Sequence, residues 1–189
     1  MYEALLFLNE GFEEVEAVTV LDVLRRGGCI TASVSLTGAA YVTGSHNITV
    51  KADMAFASMI QSVTETQGIT FVLPGGPGTA NYKTNRPFLE LLSRHHKLGG
   101  RIAAICAAPS ILGMLGILDG VEAVCYPGFE QELSGAKLGT NAVVADKQII
   151  TSKGPATALE FSLEVLKEIK GAEISGQIAK QMLYKGASK

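Results

Sequence analysis

The three cysteines of this 189-residue chain, Cys29, Cys106 and Cys125, are too few and too scattered for a disulfide framework, and no CxxC pair offers a metal site. A stapled secreted scaffold and a zinc module are thereby excluded, and reduced thiols in the cytosol are the expectation. Charge of one sign is also lacking. Sixteen Lys and Arg against eighteen Asp and Glu give a net charge of −2, and the basic residues form no stripe, so neither nucleic acid nor an anionic membrane is an expected partner. The start, from Met1 to Leu6, has no basic segment, and Asn9, Glu10, Glu13 and Glu14 soon break its apolar run, so no signal peptide is readable. Long hydrophobic runs are missing too. The longest uncharged stretch, Ile102 to Leu118, is interrupted by Pro109, Gly113 and Gly116 and falls short of the roughly 20 residues a membrane span needs; it reads as buried core. With no repeat, low-complexity tract or charged linker, one domain over residues 1–189 is expected.

What is present alternates in period. Tyr2 to Leu8, Ile69 to Leu73, Ile102 to Cys106 and Val121 to Cys125 are short apolar runs, as in strands buried on both faces of a parallel sheet. Between them, Glu13 to Arg26 places Val15, Val18, Leu21 and Leu24 at intervals of three, and Pro87 to Leu98 opens with proline at a favoured first-turn position. Thr31 to Leu36 and Tyr41 to Val50 read as strands joined through Gly38, an antiparallel excursion at one edge. Ala142 to Thr151 reads as one or two strands. Gly154-Pro155 then opens a helix with Leu159, Leu163, Val165 and Leu166 on its apolar face, and a last helix runs over Glu173 to Leu183. This order predicts an α/β protein, a mostly parallel central sheet between two helical layers, with ligands gathering at the carboxyl ends of the strands.

Two segments fall at such ends. In Arg101-Ile102-Ala103-Ala104-Ile105-Cys106-Ala107-Ala108-Pro109-Ser110 an apolar strand meets a helix at a cysteine flanked by small residues, the layout of a nucleophile elbow. The helix N-terminus behind it is expected to lower the thiol pKa below the ordinary ~8.5. In Leu73-Pro74-Gly75-Gly76-Pro77-Gly78 the glycines allow close backbone approach, with N–H groups that could form an oxyanion hole. A phosphate cradle is the rival reading, but GxGxxG fails at Asn81 and no Walker lysine follows. Glu13 and Glu14 read as first-turn acids that complement a helix dipole. Glu16 lies nearer the apolar edge, where burial would raise its pKa and let it donate a proton to a thiolate. His95 and His96, beside Arg94 and Lys97, read as a solvated face; His46 sits in a Gly-Ser-His-Asn turn; Cys29 and Cys125 read as small core residues.

Taken together, Ala103-Ala104-Ile105-Cys106-Ala107, Val72-Leu73-Pro74-Gly75-Gly76, Glu13-Glu14-Val15-Glu16 and Thr151-Ser152-Lys153-Gly154-Pro155 resemble the ThiJ/PfpI superfamily, within it the subfamily of the parkinsonism-associated protein deglycase and its bacterial relatives. The likeness runs from Leu5 to about Gln181. It implies a flavodoxin-like three-layer sandwich that pairs as a homodimer, with Cys106 as nucleophile, Glu16 as its protonated partner, and Gly76 and Ala107 as backbone donors. Gly75 and Tyr126 are implied near the pocket, and Arg26 and His46 resemble dimer-edge positions close to it. The implied activity is glutathione-independent glyoxalase or deglycase chemistry on methylglyoxal-type α-oxoaldehydes and early glycation adducts, with no cofactor and no metal. The alternative is a non-enzymatic redox sensor or stress-linked chaperone working through oxidation of Cys106. One departure stands out: where the human-type member has a histidine before a proline, this chain has Tyr126 before Pro127. A phenol is a poor general base at neutral pH, although it can donate a hydrogen bond.

Overall fold

The computed structural model describes residues 1–62 and 66–187. In chain order the elements are β1 (Ala4–Leu8), α1 (Glu14–Arg26), β2 (Thr31–Ser35), β3 (Tyr41–Thr43), β4 (Thr49–Lys51), β5 (Met54–Ala55), α2 (Phe56–Ser62) and β6 (Thr70–Leu73). They continue with α3 (Thr79–Thr84), α4 (Arg86–Lys97), β7 (Arg101–Ile105), α5 (Pro109–Met114), β8 (Glu122–Ala123), β9 (Lys137–Leu138), β10 (Val143–Asp146), β11 (Ile149–Ser152), α6 (Ala158–Lys170) and α7 (Ala172–Gln181).

Seven strands form the main sheet in the order β10-β11-β7-β6-β1-β2-β5, parallel throughout except at the β10-β11 hairpin. Strand side chains alternate between faces, and the core divides accordingly. Ala4, Leu6 and Leu8 pack with α1, α6 and α7, whereas Leu5 and Phe7 pack with Met59, Tyr82, Phe88 and Ile111 from α2, α3, α4 and α5. Burial on both faces explains why β1, β6 and β7 read as unbroken apolar runs. The chain leaves β1 for β2 on one side and later returns to β6 on the other, so a crevice opens at the carboxyl ends of β1, β6 and β7. Among the described residues, no helix is long and apolar enough to cross a membrane.

Several expectations need correction. Val121 to Cys125 is not a strand of the main sheet: only Glu122 and Ala123 pair, with Lys137 and Leu138 in a separate two-stranded sheet. The place beside β7 belongs to β11, and Val124 N–H donates instead to Thr151 Oγ1 at 3.0 Å. The antiparallel excursion lies within residues 41–51, where β3 pairs with β4, while Thr31–Ser35 runs parallel to β1. In α1 the buried stripe is Ala17, Val20, Leu21, Val23 and Leu24, with Val15 and Val18 exposed; a spacing of three drifts off a 3.6-residue stripe.

His95 is not solvated. It follows Phe88 and Leu92 by seven and three residues, which puts it on their face of α4. The ring is fully buried, stacks on Phe71 with centroids 3.8 Å apart, and donates from Nε2 to the Arg101 carbonyl oxygen at 3.1 Å. Burial holds its pKa below the usual 6.5, so the unfolded chain takes up a proton that the folded protein refuses. Wild type is therefore expected to lose stability relative to His95→Phe as pH falls from 7 to 5, by at most ~1.4 kcal/mol per pH unit. Urea midpoints of the two proteins across that range check this, and parallel curves would refute it.

Candidate active site

Three strand ends supply the site. After β7 the chain turns sharply at Cys106, a non-glycine residue at φ 66°, a conformation that side chains resist by about 1–2 kcal/mol. Its backbone is held on both sides: the N–H donates to the Ser152 carbonyl at 2.9 Å, and the carbonyl accepts from Tyr126 N–H at 2.8 Å. After β6, Gly75 and Gly76 pass against this elbow. A Cβ on Gly75 would fall 2.6 Å from Cys106 Cβ, so only glycine permits the approach. After β1, the turn at Gly11 leads into α1, whose third residue is Glu16.

Glu16 is fully buried, and Gly75 N–H donates to its Oε2 at 2.7 Å. Its Oε1 has no hydrogen-bond partner, and the carboxyl and the Cys106 thiol lie close enough for each to perturb the other's ionisation. Burial raises its pKa from 4.5 to about 7; the Gly75 N–H and the thiol oppose this, and the nearby Glu13 charge adds to it. The Gly76 and Ala107 N–H groups favour the thiolate over the thiol, as expected of donors that cradle a nascent anion.

The expected depression of the thiol pKa is overturned. Burial, and then the charge of the Glu16 carboxylate, push Cys106 up to about 12, and the Gly76 and Ala107 donors only partly offset them. The helix that follows is six residues long and starts three residues on, too short and too late for a strong dipole. Protonating Glu16 removes its repulsion and puts a donor in its place, so the two groups titrate as a pair sharing one negative charge.

A cavity of about 350 Å³ opens over the sulfur. Gly76, Cys106, Ala107 and Tyr126 line it, joined by four residues that sequence reasoning missed: Glu13, Pro77, Phe129 and Pro155. Tyr126 is half-exposed and lies against Gly154. Arg26 is not brought to the site. It pairs with Asp22 at 2.6 Å, ten residues and so about 15 Å along α1 from Glu16. His46 stands beside the cavity without lining it, its ring exposed.

Glu13 and Glu14 do more than complement a dipole. Glu14, 5% exposed, accepts from the His46 backbone N–H at 2.6 Å and from its Nδ1 at 2.9 Å, and from Ser45 Oγ at 3.2 Å. Burial works against its ionisation, but these bonds prevail and lower its pKa to about 2. The partners lie more than thirty residues away, and no local signal announces them. Cys29 and Cys125 are buried as expected, both thiols pushed up to about 11 chiefly by burial.

A thiol at a positive-φ elbow, beside glycine donors and a protonatable carboxyl at the carboxyl edge of a doubly wound sheet, defines a class of α/β proteins with a cysteine nucleophile elbow. Within that class the chain belongs to the DJ-1/PfpI family, whose model matches residues 2–168. Protein dj-1beta of Drosophila melanogaster is 34% identical over 183 residues, covering 95% of this chain and 96% of that protein. A protein named glutathione-independent glyoxalase DJR-1.2, from Caenorhabditis elegans, is 32% identical over 186 residues, covering 94% of each. Among solved structures, oxidised Toxoplasma gondii DJ-1 superposes with a TM-score of 0.90 at 32% identity, over 98% of this chain and 100% of that one. These likenesses agree with the α/β fold and its flavodoxin-like layering.

Proposed function

We propose that this protein is a cysteine-dependent, glutathione-independent glyoxalase or deglycase acting on methylglyoxal-type α-oxoaldehydes. The observation that carries the reading is Cys106 at a positive-φ elbow, in one cavity wall with Gly76 and Ala107 and influenced by the buried Glu16 carboxyl. The name of the Caenorhabditis elegans relative supports it. The thiolate attacks the aldehyde carbon, and the oxyanion that forms is met by the two N–H groups. Glu16 supplies the proton that completes the hemithioacetal, then takes the hydrogen of that carbon as a proton. Returned to the neighbouring carbon, while the hydroxyl proton passes to the former ketone oxygen, this proton leaves a thioester of the 2-hydroxy acid. Water cleaves the thioester, releasing lactate from methylglyoxal and restoring the thiol. One carbon is oxidised as its neighbour is reduced, so no external oxidant enters. A carboxyl with a pKa of about 7 suits both proton transfers. The same attack on a glycated amine or thiol constitutes deglycation.

The test is lactate formation from methylglyoxal by wild type and Cys106→Ser, without glutathione or added metal. Turnover by wild type and none by the serine variant is expected; equal rates would overturn the reading. The reading includes a reducing, cytoplasmic setting and a homodimer. Exposed Val15, Val18 and Ile48 would supply apolar area for pairing, and the mass of the protein in solution tests that part. The second reading, a redox sensor or stress-linked chaperone, draws on the oxidised Toxoplasma gondii relative. Two successive oxygen transfers from peroxide, each with loss of water, would give a Cys106 sulfinate that the same donors and Glu16 could hold. Peroxide-sensitive Cys106 without lactate production would favour it.

A further inference from the structure

The cavity over Cys106 has one charged side chain in its lining. Glu13 lines it with its side chain only 12% exposed, and the other walls are backbone, the thiol, and the rings of Pro77, Tyr126, Phe129 and Pro155. No Lys, Arg or His is among the lining residues. Outside the lining, His46 Nδ1 lies 2.9 Å from Glu14 Oε2 and 3.7 Å from Glu13 Oε2, so its charge when protonated is shared between the two carboxylates. Ser45 Oγ lies 3.3 Å from Glu13 Oε2 and 3.2 Å from Glu14 Oε2, so its single hydrogen is shared between the two carboxylates and neutralises neither. The Glu13 charge is felt within the site, where it helps to keep the proton on Glu16. The volume is also more than a three-carbon dicarbonyl fills, since about 300 Å³ already suits a drug-sized ligand.

We infer that Glu13 is a specificity-determining residue: the cavity admits neutral and cationic α-oxoaldehydes with an aryl or branched alkyl group and turns away those that carry a carboxylate or phosphate. This deepens the proposed function and rests on Cys106 being the reacting thiol. Two like charges about 6 Å apart at an effective dielectric near 20 repel enough for roughly a hundredfold effect, and the open mouth reduces that toward tenfold.

The test uses alkylation, in which Cys106 displaces iodide from neutral iodoacetamide or anionic iodoacetate. Rates at Cys106 are read by peptide mass spectrometry at pH 8 and low salt, with the amide of N-acetylcysteine as the free-thiol reference. The iodoacetamide-to-iodoacetate ratio is expected to exceed the reference at least tenfold and to fall about tenfold in Glu13→Gln. Glu16 is mostly ionised in both proteins at this pH, so the change belongs to Glu13. A wild-type ratio equal to the reference, or one unchanged in Glu13→Gln, overturns the inference. Should the variant fail to fold, the ratio in His46→Asn at pH 6, where Glu16 holds its proton and no imidazolium stands beside Glu13, carries the same test: discrimination there supports Glu13 as its source, and none overturns it. Alkylation needs no turnover, so discrimination without lactate formation would count against the enzyme and not against Glu13 as a filter.

Discussion

Replacing Glu16 with leucine is expected to slow Cys106-dependent lactate formation by roughly a hundredfold or more, the usual cost of losing a positioned acid-base group. Glu16 is fully buried and its carboxyl acts on the ionisation of the Cys106 thiol, and the hemithioacetal cannot rearrange without a group that takes a proton from one carbon and returns it to the next. Leucine fills a similar volume, so the effect should fall mainly on kcat. The variant also carries a stability signature that a merely structural role would not produce. In the folded protein the Glu16 carboxyl titrates at about 7 against an ordinary 4.5, so between those values the folded state holds a proton that the unfolded chain has released. Wild type therefore loses stability relative to Glu16→Leu as pH rises through that window, by about 3 kcal/mol in all, and the difference levels off above pH 7. The leucine variant bears a constant cost of its own, because Gly75 N–H loses its acceptor, worth about 1–3 kcal/mol. Unchanged kinetics across pH 5–9 would remove Glu16 from the mechanism, and a pH-independent stability difference would remove its buried proton.

The parts of this site that were legible in the sequence are those whose signal is local. Ala104-Ile105-Cys106-Ala107-Ala108 announces an elbow because only small neighbours fit so tight a turn, and Gly75-Gly76 announces a close approach for the same reason. Glu16 was legible because a carboxyl near an apolar stripe has few places to go. What failed depended on partners distant in sequence. Glu14 is fixed by Ser45 and His46, and Glu13 joins the cavity through its backbone N–H, which donates to Gly75 O after β6, so both read as ordinary first-turn acids. The sign of the Cys106 shift was missed because helix dipole and burial oppose each other, and burial is a property of the whole fold. Val121 to Cys125 has the composition of a core strand, yet strand pairing depends on which neighbour is free, and β11 had already taken the place beside β7. His95 was misjudged from Arg94 and Lys97 when the informative neighbours were Leu92 and Phe88, one and two turns back.

Gly76 combines a positive φ with close backbone neighbours, and Gly76→Ala is expected to cost roughly 3 kcal/mol of stability and most of the activity. Two effects combine. At φ 90° a side chain is strained by about 1–3 kcal/mol, and a Cβ would fall 2.6 Å from Glu13 N and 2.7 Å from Gly11 O, both backbone atoms. Overpacking against backbone adds a similar amount, since no rotamer can relieve it. The segment that must move is pinned: Gly78 N–H donates to Gly11 O at 2.8 Å and Glu13 N–H to Gly75 O at 3.0 Å. Shifting it moves the start of α1, and with it Glu13 and Glu16, while the Gly76 N–H turns away from the sulfur. Loss of one such donor alone slows related chemistry about 10²–10³-fold. Gly99→Ala separates the two effects, because Gly99 also has a positive φ, 77°, but nothing lies within 4 Å of a Cβ there. Urea midpoints and lactate rates should show Gly99→Ala destabilised by about 1 kcal/mol with turnover intact. A Gly76→Ala protein no less stable than Gly99→Ala would mean that the Gly11 to Glu13 turn yields freely, and that Glu13 and Glu16 are placed by α1 alone.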